Sequence, residues 1–298
     1  MEPAPVTVGL DGTPESLAAA HWAATEADRR ALPLHLLHAW ILHVPEAAGP
    51  APPPAPDAPA GVPAERDRDY WARRILGAAR TEITERLPGL TVVEELVADE
   101  PAAALLDAAG RSEMVVLGSR GLARMQAFFL GDVAQHVAGR AERPVVLVRA
   151  GMGEQHPHGG VVAGVSLRGR CDELLDFAFA AAAARGVPLR VVHGRTLPVQ
   201  AYAPWGVDPD VAQDIGRDAE RELTAALRPW CETYPDVTVV DSVRLESPAQ
   251  AVVNAAEGAD LLIVGRRRHR AALLPRLDAV VQACAHHARC PVAVVPHD

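Results

Sequence analysis

The chain contains no lysine: all 29 of its Lys-plus-Arg positions are arginine. That excludes a Walker A loop, whose lysine contacts the β- and γ-phosphates of a nucleotide. It also excludes lysine-dependent phosphoryl transfer and any Schiff-base mechanism. Cysteine is scarce as well. Cys171, Cys231, Cys284 and Cys290 all fall in the second half, without the spacing of a disulfide framework, which predicts reduced thiols and a cytoplasmic protein. The sequence reads as having neither a signal peptide nor an apolar run of membrane-spanning length. Phe177–Ala184 is too short to span and reads as a buried helix face. Acidic residues outnumber basic ones, and the net charge of −9 argues against general nucleic-acid binding. No Ser-His-Asp set stands at a recognisable local spacing.

What is present is a glycine pattern. Val115-Val116-Leu117-Gly118-Ser119-Arg120-Gly121 reads as a buried strand running into a glycine turn, and Gly131 opens a helix from Val133 to Ala141. The spacing is G-x2-G-x9-G. A strand, a glycine turn and a helix N-terminus bring free N–H groups and the positive end of a helix dipole to one point, an anion cradle. Glycine suits places where the backbone takes positive φ or where a phosphate must approach without a Cβ in the way.

The chain also repeats itself. Pro101–Leu106 matches Pro248–Val253, Val115–Gly118 matches Leu262–Gly265, and Arg143–Val148 matches Cys290–Val295, all at one offset of 147 positions. Val6–Leu10 matches Val161–Val165 at an offset larger by eight, so the first half carries the longer insertion. This predicts two copies of one domain, 1–150 and 161–298, joined by a Gly/His/Pro-rich linker at 151–160. In the first copy the pattern predicts strands at Val6–Leu10, Leu34–Ala39, Thr91–Val97, Met114–Leu117 and Pro144–Val148. Helices are expected at Pro14–Arg30, with Thr13 as cap, at Asp69–Leu87 and at Pro101–Ala109. Such alternation implies an α/β fold with a parallel sheet covered on both faces and a ligand beyond the C-terminal ends of the strands. The Pro/Ala/Gly-rich stretch between His43 and Arg66 reads as a loop on that same rim, either a passive insertion or a lid.

Val8-Gly9-Leu10-Asp11-Gly12-Thr13, together with Gly118-Ser119-Arg120-Gly121 and Gly131, resembles the universal stress protein family, and the whole chain resembles a tandem member. The resemblance implies two Rossmann-like domains of the adenine nucleotide alpha hydrolase type, each a five-stranded parallel sheet flanked by helices. It implies ATP or AMP bound in the first half. Leu10 and Asp11 would lie near the adenosine, the backbone near Ala39 would meet the adenine, and Leu117, Gly118, Ser119, Arg120 and Gly121 would wrap the ribose and phosphates. Gly131, residue 132 and Val133 would hold the phosphates. One position departs from the pattern. The family has Ser or Thr after the last glycine, and this chain has Asp132. A carboxylate only accepts hydrogen bonds and carries like charge, so Asp132 either competes for the anion site or holds a Mg²⁺ bridging to the phosphates. Arg120 and Arg124 offset part of the repulsion.

In the second half Ser166 stands where Asp11 aligns, Arg268 replaces the second glycine and Asp278 the third, so that site reads as lost. The run Arg266-Arg267-Arg268-His269-Arg270 reads as a solvated loop, with an anion or polyanionic partner as the alternative. Cys284, His286, His287 and Cys290 do not read as a zinc site, Cys284 and Cys290 reading as core packing, and His38 reads as a satisfied histidine on the rim. The expected function is a non-enzymatic stress-response protein, at most a slow ATPase, acting through contacts with protein partners not identified by sequence. The alternative is a tandem scaffold that binds no nucleotide, with Asp132 serving as a helix cap. A nucleotide-dependent enzyme of a related fold would need a Ser-Gly-Gly loop or a His-x-Gly-His element, and neither is present. The family's habit of pairing through last strands implies an internal pseudo-dimer through Val145–Val148 and Val292–Val295, and by symmetry a homodimer is open.

Overall fold

A computed structural model of the chain describes residues 3–40, 64–119, 131–151, 159–198, 201–203, 206–268 and 277–298. The first half runs β1 (Val6–Gly9), α1 (Pro14–Arg29), β2 (Leu34–Ala39), α2 (Ala64–Arg86), β3 (Val92–Val97), α3 (Pro101–Arg111), β4 (Met114–Ser119), α4 (Asp132–Arg140), β5 (Val145–Arg149). The second runs β6 (Val161–Gly164), α5 (Asp172–Arg185), β7 (Leu189–Gly194), a short ribbon of β8 (Tyr202–Ala203) and β9 (Gly206–Val207), then α6 (Pro209–Thr233), β10 (Val239–Arg244), α7 (Pro248–Ala255), β11 (Leu261–Arg267), α8 (Ala279–His287) and β12 (Val292–His297). These elements match the sequence pattern to within a few residues, with one larger difference. Helix α2 begins at Ala64, ahead of the expected Asp69, because Ala64 to Arg68 contains no proline or glycine to stop it. The rest of the Pro/Ala/Gly-rich stretch, residues 41–63, lies outside the described residues.

The main strands form one ten-stranded sheet in the order β10-β7-β6-β11-β12-β5-β4-β1-β2-β3. Each half contributes five parallel strands. The halves meet where β5 and β12 pair antiparallel, Val292 opposite Leu147, Ala293 opposite Val146 and Val294 opposite Val145. The internal pseudo-dimer expected from the last strands is therefore present. Because the seam is antiparallel, the C-terminal rims of the two half-sheets face opposite ends of the molecule.

Burial follows the pleat. Met114 and Val116 enter one apolar core, with α1, α2, α5 and α6. Val115 and Leu117 enter the other, with α3, α4, α7 and α8. Strands buried on both faces carry unbroken apolar runs, which is why these segments read so clearly in the sequence.

Charged groups also cross the seam. Arg185 of α5 donates to Glu26 of α1 at 2.6 Å. Arg149 at the end of β5 donates to the Ala285 carbonyl, and Arg266 of β11 to the Ala141 carbonyl. This corrects the reading of Arg266–Arg270 as a solvated loop. Strand β11 continues through Arg267, Arg266 is buried, and its guanidinium is spent on the neighbouring half. His269 and Arg270 lie outside the described residues.

Candidate functional site

The first-half rim is assembled by adjacent parallel strands. Gly9 of β1 lies opposite Leu117 of β4 and also opposite Leu37 of β2, so the residues after all three strands emerge side by side. The chain leaves β1 through Leu10 and turns at Asp11-Gly12-Thr13. Gly12 has φ +82°, which a side-chain-bearing residue rarely adopts. Asp11 Oδ1 accepts from Thr13 N at 3.0 Å and from Thr13 Oγ1 at 2.6 Å, which holds an exposed carboxylate in place on the rim. Thr13 then caps α1 by accepting from Ser16 N at 3.2 Å, with Pro14 opening the helix as the sequence indicated. His38 Nδ1 donates to the Leu10 carbonyl at 2.7 Å, tying the ends of β2 and β1 together. His38 is thus satisfied, as read from the sequence.

Of the expected site residues, Leu10 and Leu117 are buried with their side chains in the two cores, so only their backbones face the rim. Ser119 is buried at the end of β4, and Ala39 is half-buried at the end of β2. Val133 packs partly against the core. Arg120, Gly121 and Arg124 lie outside the described residues.

At Gly118 a Cβ would meet Glu15 C and Ser16 N at 2.7 Å, so the glycine lets the first turn of α1 lie directly on β4. One expectation about this rim is corrected: Asp132 does not cap α4. Gly131 holds the cap position with φ −55° and ψ 145°, no side chain caps the helix, and Asp132 is the first helical residue, exposed to solvent. Its backbone is already helical there, whereas a capping side chain needs the extended geometry of the residue before it. Among the described residues, no heavy atom lies within 4 Å of a Cβ on Gly131 and no side chain accepts from the first-turn N–H groups of α4.

The second-half rim keeps the frame. His193 Nδ1 donates to the Val165 carbonyl at 3.0 Å, as His38 does to Leu10. Ser166 Oγ accepts from Arg168 N at 3.3 Å, where Asp11 holds Thr13. The anion-binding features, however, are filled by the protein's own groups. Asp278, in place of Gly131, caps α8 by accepting from Val281 N at 2.9 Å. Arg268, in place of Gly121, pairs with Glu173 at 2.8 Å, Glu142 at 3.4 Å and Asp298 at 3.6 Å. The His297 ring packs against Gly265, and its Nδ1 donates to the Arg170 carbonyl at 3.1 Å.

The profile of the Universal stress protein family matches residues 4–149 and again residues 160–296. The chain belongs to the universal stress protein family. A universal stress protein of Mycobacterium tuberculosis is 32% identical over 291 residues, covering 97% of this chain and 96% of that one. A solved universal stress protein from Archaeoglobus fulgidus shares the fold, with a TM-score of 0.67 at 15% identity, covering 99% of this chain and 98% of that one. A shorter universal stress protein from the same organism, solved in complex with dAMP, aligns with half of this chain at 22% identity and a TM-score of 0.36, covering 99% of its own length.

Within this universal stress protein, Cys284 and Cys290 lie in the core, and burial pushes both thiols up to about 12. Among the described residues no cluster of His, Cys, Asp or Glu could hold a metal ion. No described helix is long and apolar enough to cross a membrane. The residue that sequence reading missed is Glu26. It looks like one more polar position on α1, yet it is fully buried and ringed by Arg29, Arg30 and Arg185. The signal was an acid on the helix face otherwise made of Ala19, Ala20, Ala23, Ala24 and Ala27.

Proposed function

We propose that this universal stress protein binds an adenine nucleotide, ATP or AMP, in its first domain (1–150). The second domain (161–298), joined through 151–160, has a closed rim and acts as a regulatory and structural partner. The observation that carries the reading is the contrast between Gly131 and Asp278. Among the described residues no side chain caps the N-terminus of α4, whereas its repeat mate is capped by a carboxylate. Asp11 offers an anchored acceptor for a ribose hydroxyl, and α4 offers N–H groups to a phosphate. Leu10, Ala39, Leu117, Gly118, Ser119, Arg120, Gly121, Gly131, Asp132 and Val133 are the proposed contacts. Of these, Gly118 acts by placing α1 and Asp132 as a partner for Mg²⁺ when ATP is bound. In this reading the protein is cytoplasmic and signals through altered contacts with protein partners or a second copy of itself. Among the described residues Asp132 is the one candidate general base beside the phosphate position, and any ATP hydrolysis is expected to be slow.

The test is mass spectrometry of nucleotide released on denaturation, with calorimetric titration of ATP and AMP, each with and without Mg²⁺. One site per chain is expected, and Gly121→Val should abolish it. No released nucleotide and no heat would overturn the reading in favour of a tandem scaffold.

A further inference from the structure

Helix α2 leaves the C-terminal end of β2 and runs back along the sheet, so its first described turns stand on the first-half rim. Its α1-facing flank is marked by three contacts. Ile75 Cδ1 would lie 3.0 Å from a Cβ on Gly12, Glu82 bonds His21 at 3.1 Å, and Arg86 bonds His21 at 3.2 Å. Trp71 precedes Ile75 by four residues, hence on the same flank and about 6 Å further out along the axis. Trp71 therefore stands further toward the rim than the Gly12 contact of Ile75, on the flank of α2 that faces α1. It is 56% exposed. Arg74 lies over one face of the ring, 5.4 Å from its centroid, and Tyr70 meets it edge-on at 5.8 Å.

The repeat supplies an internal control. At the offset of 147, the buried Ala72 and Leu76 of α2 fall on the buried Ala219 and Leu223 of α6, so the two helices are in register. Trp71 then corresponds to Asp218 and Ile75 to Glu222. Asp218 is exposed and pairs with Arg221 at 3.2 Å. The half whose helix N-terminus is closed by Asp278 has no aromatic group on its rim at this position. The half whose helix N-terminus has no side-chain cap among the described residues has one, held in water at the cost of exposed apolar surface.

We propose that Trp71 is the base-stacking residue of the first-half site, lying against the adenine ring of the bound nucleotide with Arg74 covering its other face. This rests on the nucleotide reading of that half. An indole face suits a purine, and a guanidinium on the far side adds to the stack. Stacking would discriminate among ligands by their base, while the α4 N-terminus reads the phosphate that all nucleotides share.

The test is calorimetric titration of the full chain with AMP and with ribose 5-phosphate. Trp71→Ala is expected to weaken AMP binding about tenfold, to leave ribose 5-phosphate unchanged and to leave the melting temperature unchanged, because the side chain is exposed. Trp71→Phe should restore most of the AMP affinity. AMP binding by Trp71→Ala equal to that of the wild type would overturn this assignment alone. Absence of AMP binding by the wild type would overturn it together with the nucleotide reading. Equal losses for AMP and ribose 5-phosphate would also overturn it, since a stacking role cannot act on a ligand without a base.

Discussion

Glu26 in α1 and Arg185 in α5 bond across the two halves at 2.6 Å, with their side chains 1% and 5% exposed. At the first-strand offset Arg185 is the repeat mate of Arg30, while Glu26 is matched by Ala181. A single carboxylate therefore serves both copies of the arginine, with Arg29 as a third partner at 3.0 Å. Arg30 also lies over the Phe177 ring of the other half, 5.2 Å from its centroid. Removing the acid strands buried positive charge. Glu26→Ala should destabilise the protein by about 3–5 kcal/mol in denaturant unfolding. Adding Arg185→Ala should recover part of that loss, and a double-mutant cycle showing simple additivity would contradict the assignment.

The same carboxyl sets an acid limit. Burial alone would raise its pKa, but Arg185, Arg30 and Arg29 outweigh that and hold Glu26 below its ordinary 4.5. The unfolded chain then binds the extra proton first, so the contribution is full above 4.5 and is lost as pH falls through the lower folded value. Stability measured against pH should fall more steeply below 4.5 for the wild type than for Glu26→Gln.

Gly131→Asp should convert the open helix N-terminus into a copy of the closed one at Asp278. The new side chain can cap α4, so stability should hold or rise by a few tenths of a kcal/mol. Nucleotide binding should disappear, because a carboxylate then occupies the anion position. Calorimetry and thermal melting on the same sample separate these effects.

Gly118→Ala should behave in the opposite way. Its methyl would press on the α1 backbone at 2.7 Å, so a loss of about 1–3 kcal/mol is expected in thermal or denaturant unfolding.

Thiol chemistry gives an independent check on the core. Burial raises the thiols of Cys171 to about 11 and of Cys284 and Cys290 to about 12, whereas Cys231 is exposed. Alkylation of the native protein at mildly alkaline pH should modify Cys231 alone, as read by peptide mass spectrometry.

The architecture was legible because parallel strands buried on both faces leave continuous apolar runs, such as Val115–Leu117 and Val292–Val295, at fixed offsets between the copies. The seam was expected from the family's habit of pairing through last strands, and β5 and β12 form it. What the sequence did not convey was how polar residues are spent once the copies touch. Glu26 and Arg266 sit in segments that look solvent-facing in isolation, and their partners are 159 and 125 positions away. Gly118 and Gly131 look alike in a spacing pattern, yet one accommodates a helix backbone and the other has no described neighbour within 4 Å of a Cβ. Only three-dimensional neighbours separate those uses. Asp132 was placed one residue out of role for a similar reason, since capping depends on backbone geometry that a one-residue shift reverses.

The antiparallel seam between β5 and β12 lies within one polypeptide. Two separate chains joined through the same strands would come apart on dilution, and their population would follow protein concentration. Here the partner is always present at the same effective concentration. The second half can therefore brace the first at any cellular abundance, and each seam carries one α4 N-terminus without a described side-chain cap and one α8 N-terminus capped by Asp278.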